Sequence, residues 1–215
     1  MDSTPAQPDP LAVEHRMRRL RPVVERAFRA LYDLRVEGRE RVPAEGPLVV
    51  VANHVGAIDG PLAATLVPRP AHFLVKRSYF VGPLGRLLRE LGQIPVTQRS
   101  ADRGAVTAAR AVLAGGGVVG VFPEGTRGDG AVAAVHQGAA FLALSADALV
   151  APMRLAGTAG RTRGRWPRVR SRLEVTFDPA FRLGDADAVA GTTGRARLAA
   201  ATEELRVRLA EHVAG

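Results

Sequence analysis

His54 and Asp59, five positions apart in Asn53-His54-Val55-Gly56-Ala57-Ile58-Asp59-Gly60, are the first residues in this chain whose types and spacing can do chemistry. A turn can fold the carboxylate back onto one imidazole nitrogen. That fixes the tautomer and leaves the other nitrogen free to take a proton from a hydroxyl. Asn53 and Gly56 suit such a turn, since both tolerate unusual backbone angles. The same residues also suit a plainer role, with Asp59 capping a helix that begins Gly60-Pro61-Leu62 and His54 at the surface. Further on, Pro123-Glu124-Gly125-Thr126-Arg127-Gly128 gathers a carboxylate, a hydroxyl and a guanidinium among glycines. Those are the parts of an anion site. Arginine can hold a phosphate through two N–H groups, and glycine lets backbone N–H groups approach it.

Both stretches follow apolar runs. Leu48-Val49-Val50-Val51-Ala52 reads as a short buried strand, because β-branched residues fill it and Gly46-Pro47 punctuate its start. Val118-Val119-Gly120-Val121-Phe122 reads the same way and runs straight into Pro123. Each candidate group therefore stands at the exit of a strand. NHVGAID and FPEGTRG, in that order, resemble the first and third motifs of the glycerolipid acyltransferases, a family that includes the 1-acyl-sn-glycerol-3-phosphate acyltransferases.

Other stretches extend the resemblance. Gly92-Gln93-Ile94-Pro95-Val96-Thr97-Gln98-Arg99 is similar to the second motif, and implies that Arg99 holds the acceptor's phosphate; read by itself, Arg99 is a solvated loop residue. His136-Gln137-Gly138-Ala139-Ala140-Phe141 resembles a stretch where the family often carries lysine, here replaced by Gln137. Leu149-Val150-Ala151-Pro152-Met153 resembles the fourth motif, which helps line the acyl or acceptor pocket, and reads equally as a core strand.

The remaining elements must position these groups. Leu11 to Leu34 places Val13, Met17, Leu20, Val24, Phe28 and Leu31 near helical spacing, with Arg16, Arg18, Arg19, Arg21, Arg26 and Arg29 between them. Pro22 should kink this segment or start a second helix. Such a basic amphipathic stretch can lie in a membrane interface or pack on its own domain. Val36 to Val42 reads as an edge strand, Pro61 to Leu66 and Leu84 to Leu91 as helices, and His72 to Val75 as a core strand with His72 structural. A helix from Arg103 to Leu113 stops at Gly115-Gly116-Gly117. Arg154 to Arg172 holds seven arginines, no acid, and Trp166, which suits a solvated loop or a membrane-interface contact. Arg172 to Phe177 alternates like a half-exposed strand, and Thr193 to Val213 closes the chain as a helix with Leu198, Leu205 and Leu209 inward.

Composition bounds the answer. With 215 residues, 47% of them hydrophobic, the chain can build one substantial domain but not two comfortable ones. No cysteine is present, which excludes disulfides, thiolate catalysis and cysteine zinc sites and fits a reducing cytosol. The N-terminus lacks the order of a signal peptide, and no run is apolar enough to span a bilayer, so a soluble or peripheral protein is expected. Lys and Arg exceed Asp and Glu, 30 against 21, which suits an anionic partner.

We expect an α/β fold in which a single domain holds a mixed, mostly parallel sheet flanked by helices. Residues 1–35 form an N-terminal tail and amphipathic helical segment, and residues 36–215 the acyltransferase domain. The resemblance implies acyl transfer from acyl-CoA or acyl carrier protein to the hydroxyl of a lysophospholipid acceptor such as lysophosphatidic acid. His54 would be general base and Asp59 its orienting partner. Glu124, Gly125, Thr126 and Arg127, with Arg99, would bind the acceptor. No metal or cofactor is expected, because the five histidines are scattered with no carboxylate cluster beside them. The expected partners are those substrates and an anionic membrane surface, at the inner face of the cell membrane, with no nucleic acid. Two alternatives stand beside this reading: a same-fold acyltransferase using another lysolipid or an amine, and a non-catalytic basic module for membranes or nucleic acid.

Overall fold

The computed structural model describes residues 9–97, 102–123, 137–160 and 166–214. Its order is α1 (Pro10–Leu31), β1 (Asp33–Glu37), β2 (Leu48–Ala52), α2 (Asp59–Leu66), β3 (Ala71–Lys76), α3 (Gly82–Glu90), β4 (Ile94–Val96), α4 (Arg103–Ala114), β5 (Val118–Val121), α5 (Gln137–Ser145), β6 (Leu149–Ala156), β7 (Arg172–Phe177), β8 (Phe181–Arg182) and α6 (Gly194–Ala214). The strands form one sheet in the order β1-β7-β6-β2-β5-β3-β4, with β8 beside β6. Strands β6, β2, β5, β3 and β4 run parallel. β7 and β8 run against β6, and β1 follows β7 in parallel. This is the mixed, mostly parallel sheet expected.

β2 is the middle of the sheet, and every one of its residues is buried. Its side chains alternate between two cores, as the pleat requires. Val49 and Val51 face the core made by α4, α5 and α6, with Leu113, Leu142, Leu205 and Leu209. Leu48, Val50 and Ala52 face the core made by α1 and α2, with Phe28, Leu62 and Leu66. A strand covered on both faces reads as an unbroken apolar run, which is why this element was plain in the sequence.

The exit of β2 leads through α2 to β3 on one side of the sheet. The exit of β5, which pairs with β2, leads through α5 to β6 on the other side. Neighbouring strands whose connections diverge leave a crevice at their carboxyl ends, where ligands bind in open α/β sheets.

Two sequence expectations need correction. The edge strand covers Asp33–Glu37 rather than Val36 to Val42, because Gly38 takes φ +70° and Arg39–Arg41 form a 3₁₀ turn. Pro22 does not divide the N-terminal helix: α1 runs unbroken from Pro10 to Leu31. Val13, Met17 and Phe28 are buried along it, so packing on both sides of the proline outweighs the one lost hydrogen bond. The short β8 was not foreseen. Of the arginine run, Arg154 lies in β6 and Arg172 in β7, while Arg161, Arg163 and Arg165 lie outside the described residues.

Glu25 ties α1 to the turn after β1, bonded to Arg29 at 2.8 Å and Arg39 at 3.0 Å. Burial alone would raise its carboxyl, but the hydrogen bonds from the two guanidiniums outweigh that and hold it below the usual glutamate range. Arg21 donates to the carbonyl of Thr65 at 3.2 Å, fastening α1 to α2, and burial pushes its guanidinium below its usual value. Among the described residues no helix is long and apolar enough to cross a membrane.

Candidate active site

Asn53 follows β2 directly and fixes where the next loop begins. Its side chain is buried and bonds the β6 backbone in both directions: Nδ2 donates to the carbonyl of Leu155 at 2.9 Å, and the Leu155 N–H donates to Oδ1 at 2.7 Å. The loop then turns sharply around a carboxylate. Asp59 Oδ2 accepts from the N–H groups of Val55 and Gly56, each at 2.7 Å, and faces His54 Nδ1 at 2.8 Å. Gly56 is pressed against β6's exit, where a Cβ would lie 2.1 Å from the carbonyl oxygen of Thr158. Only glycine fits so close an approach.

The geometry decides the tautomer. Asp59 Oδ2 is an acceptor for two backbone donors already, so Nδ1 donates to it and Nε2 carries the lone pair. Asp59 is fully buried, and among the described residues its other oxygen has no partner. His54 is partly open, its side chain 20% exposed. Among the described residues, nothing hydrogen-bonds Nε2. A fixed imidazole with a free, reachable lone pair is what a general base requires. Asp59 is the first residue of α2, but its side chain reaches back into the loop rather than capping that helix, whose cap is Ile58.

One face of the imidazole rests on Phe122, with ring centroids 4.4 Å apart and planes 27° from parallel. Phe122 in turn meets Phe73 of β3 at 5.4 Å. This ladder of rings joins the exits of β2 and β5 to the middle of β3. Sequence reasoning used Phe122 as a strand residue and as the first letter of FPEGTRG, without placing it against His54. Its place immediately before Pro123-Glu124 was the available signal.

Of the other sequence candidates, Arg99, Glu124, Gly125, Thr126 and Arg127 lie outside the described residues. The nearest described residues are Pro123 before Glu124, and Thr97 and Asp102 on either side of Arg99. Phe122, two positions before Glu124, is the ring against His54. Thr97 and Asp102 bracket the segment with Arg99, and they are joined. Asp102 accepts from the N–H of Thr97 at 2.9 Å and of Ala105 at 3.0 Å, and from Arg77 at 3.4 Å. Those backbone bonds, aided by the guanidinium, hold the Asp102 carboxyl below the usual range. Gln137 is exposed at the start of α5. Leu149–Met153 forms the first part of β6, with Ala151 and Met153 in the core that contains α2. His72 Nδ1 meets the carbonyl of Gly92 at 2.7 Å, a structural bond. Among the described residues no three His, Asp or Glu side chains gather as metal ligands.

Comparison with known proteins points the same way. The family described as Acyltransferase matches residues 33–156. The 1-acyl-sn-glycerol-3-phosphate acyltransferase of Bacillus subtilis is 26% identical over 180 residues, covering 83% of this chain and 87% of that protein. The protein of the same name from Borreliella burgdorferi is 30% identical over 127 residues, and the match spans 57% of this chain and 51% of that one. Among solved structures, the 1-acyl-sn-glycerophosphate acyltransferase PlsC of Thermotoga maritima superposes with a TM-score of 0.73 at 25% identity, over 94% of this chain and 81% of that one.

Proposed function

Because the chain belongs to the acyltransferase family, we propose that it moves a fatty acyl group from a thioester to the free hydroxyl of a lysophosphatidic acid-like acceptor. The observation that carries this reading is the His54 imidazole, held by Asp59 at 2.8 Å, with its second nitrogen unpartnered among the described residues. His54 Nε2 takes the hydroxyl proton as the acceptor oxygen attacks the thioester carbonyl carbon. The tetrahedral intermediate expels the thiolate, breaking the C–S bond, and the imidazolium returns the proton to sulfur. The products are an ester and a free thiol. Asp59 keeps Nδ1 protonated and stabilises the imidazolium in between. Such proton transfer is worth on the order of 10²–10⁴ in rate; holding donor and acceptor in line supplies the rest.

The acceptor's phosphate falls to Arg99 and Arg127, with Glu124, Gly125 and Thr126 beside it. The donor is acyl-CoA or acyl carrier protein, and the protein works from the cytoplasmic side of the membrane. The relatives of Bacillus subtilis and Borreliella burgdorferi, by their names, use a 1-acyl-sn-glycerol-3-phosphate acceptor, which supports this choice.

The test is to incubate purified protein with acyl-CoA and a panel of acceptors, and to identify products by mass. Acylated lysophosphatidic acid is expected. Transfer to a neutral lysolipid or an amine, with none to the phosphate acceptor, would replace this reading. Arg127→Lys keeps charge but loses the planar fork, so it should raise KM for the phosphate acceptor.

A further inference from the structure

Among the described residues, the segment after β3 leaves an apolar face without a partner. Tyr79 is 43% exposed, Val81 68%, Leu84 50% and Leu87 47%. Leu84 and Leu87 are three apart on α3, so they share one side of that helix. Pro83 beside them is exposed as well. On α3 only Gly85 is buried, pressed against the backbone of Phe80, and the other exposed leucines, Leu11, Leu20 and Leu31, all lie along α1. Contiguous exposed apolar side chains mark a contact surface.

The charges around this face have one sign. Between Lys76 and Leu91 the chain carries Lys76, Arg77, Arg86 and Arg89 against a single acid, Glu90. Glu90 is bonded to Arg16 of α1 at 3.5 Å, so its charge is answered from within and α1 is drawn alongside. Arg77 reaches Asp102 at 3.4 Å, and Lys76 and Arg86 point to solvent. An apolar face with tyrosine and a rim of cations matches the boundary of an anionic bilayer. Leucines enter the acyl region there, tyrosine sits at the headgroups, and lysine and arginine meet the phosphates.

The position suits a lipid substrate. The segment leaves β3 at the carboxyl edge of the sheet, the same edge from which His54 and Phe122 project. We propose that Tyr79, Val81, Leu84 and Leu87, rimmed by Lys76, Arg77, Arg86 and Arg89, form the face by which the protein rests on an anionic phospholipid surface. This deepens the acyl-transfer reading and rests on its lipid acceptor. It names a docking face apart from the exposed Trp166 and the arginines around it.

The chain has no cysteine, so a single one can be placed and labelled cleanly. Leu84→Cys carrying an environment-sensitive dye should shift its emission to the blue on vesicles of phosphatidylglycerol and phosphatidylcholine. Arg110→Cys, exposed on α4 at the opposite face of the sheet, should not. Leu84→Ser with Leu87→Ser should weaken vesicle binding at least about tenfold, as the loss of two buried leucines implies, while transfer to a water-soluble short-chain acceptor continues at the parental rate. If vesicles sediment the labelled protein without a shift at position 84, the face is not the docking surface. Unchanged vesicle binding in the double serine variant, together with conversion of a dimer to a monomer, would make it an interface between copies and overturn the proposal. Absence of soluble-acceptor transfer in the parent would sink the acyl-transfer reading instead, and the dye would still decide docking.

Discussion

The protein contains two histidine–aspartate pairs of nearly the same length, and they do different work. His54 Nδ1 lies 2.8 Å from Asp59, and His212 Nδ1 lies 2.7 Å from Asp178. The difference is at the other nitrogen. His212 Nε2 is 3.1 Å from the carbonyl of Thr176, so both of its ring nitrogens face acceptors. Its side chain is 5% exposed, and it fastens the end of α6 to β7. His54 keeps Nε2 unengaged among the described residues and open to the crevice. A short contact with a carboxylate therefore identifies an oriented histidine, not a base. What remains free on the ring decides its chemistry.

The largest effect should follow from removing the free nitrogen. His54→Ala is expected to cut transfer by on the order of 10²–10⁴ while the melting temperature stays near the parent's; near-normal turnover would end the mechanism. Asp59→Asn should act in the same direction through kcat more than KM, on the order of 10²-fold, because the tautomer is lost rather than the base. Steady-state kinetics separate the two.

His212→Ala should behave in the opposite way. It strips two hydrogen bonds from a buried site, so stability should fall by about 1–3 kcal/mol, read by chemical denaturation, with transfer per folded molecule unchanged. A loss of turnover there would erase the contrast between the pairs.

Asp102 sharpens the comparison from another side. Like Asp59 it collects two backbone N–H groups, but it has a guanidinium in place of an imidazole. Asp102→Ala should cost about 1 kcal/mol, the usual worth of a helix cap. Its folded carboxyl sits below the ordinary value, so this stability is present above the unfolded pKa of about 3.9 and is lost as pH falls through the lower folded value. The gap in melting temperature between parent and variant should thus persist at pH 6 and close in stronger acid. Glu25, also depressed, contributes loss of the same sign in the same window.

How legible these features were in the sequence follows from their range. The His54–Asp59 contact spans five residues, so a local pattern could suggest it. β2 and β5 announced themselves because both faces of each are covered. By contrast, the grip of Asn53 on Leu155 spans 102 residues and depends on β6 lying beside β2. Strand order is not written in local periodicity, and so neither was the stacking of Phe122 on His54. Val36 misled because its β-branched side chain suggested a strand running onward, whereas Gly38 bends the chain at once. The amphipathic pattern of α3 was visible, but periodicity shows that a helix has an apolar side without showing whether anything covers it.

Gly120 sits buried in the interior of β5. A Cβ at that position would stand 2.3 Å from the ring of Phe73. Phe73 leans on Phe122, and Phe122 on the imidazole. The smallest possible side chain added there has to be absorbed by moving a rank of three rings, the last of which is the candidate base. A mutational library confined to residues around the crevice would thus omit a position that reaches the imidazole through two rings. Anyone re-engineering this scaffold should treat the middle of β5 as a tuning screw for the imidazole rather than as inert filling.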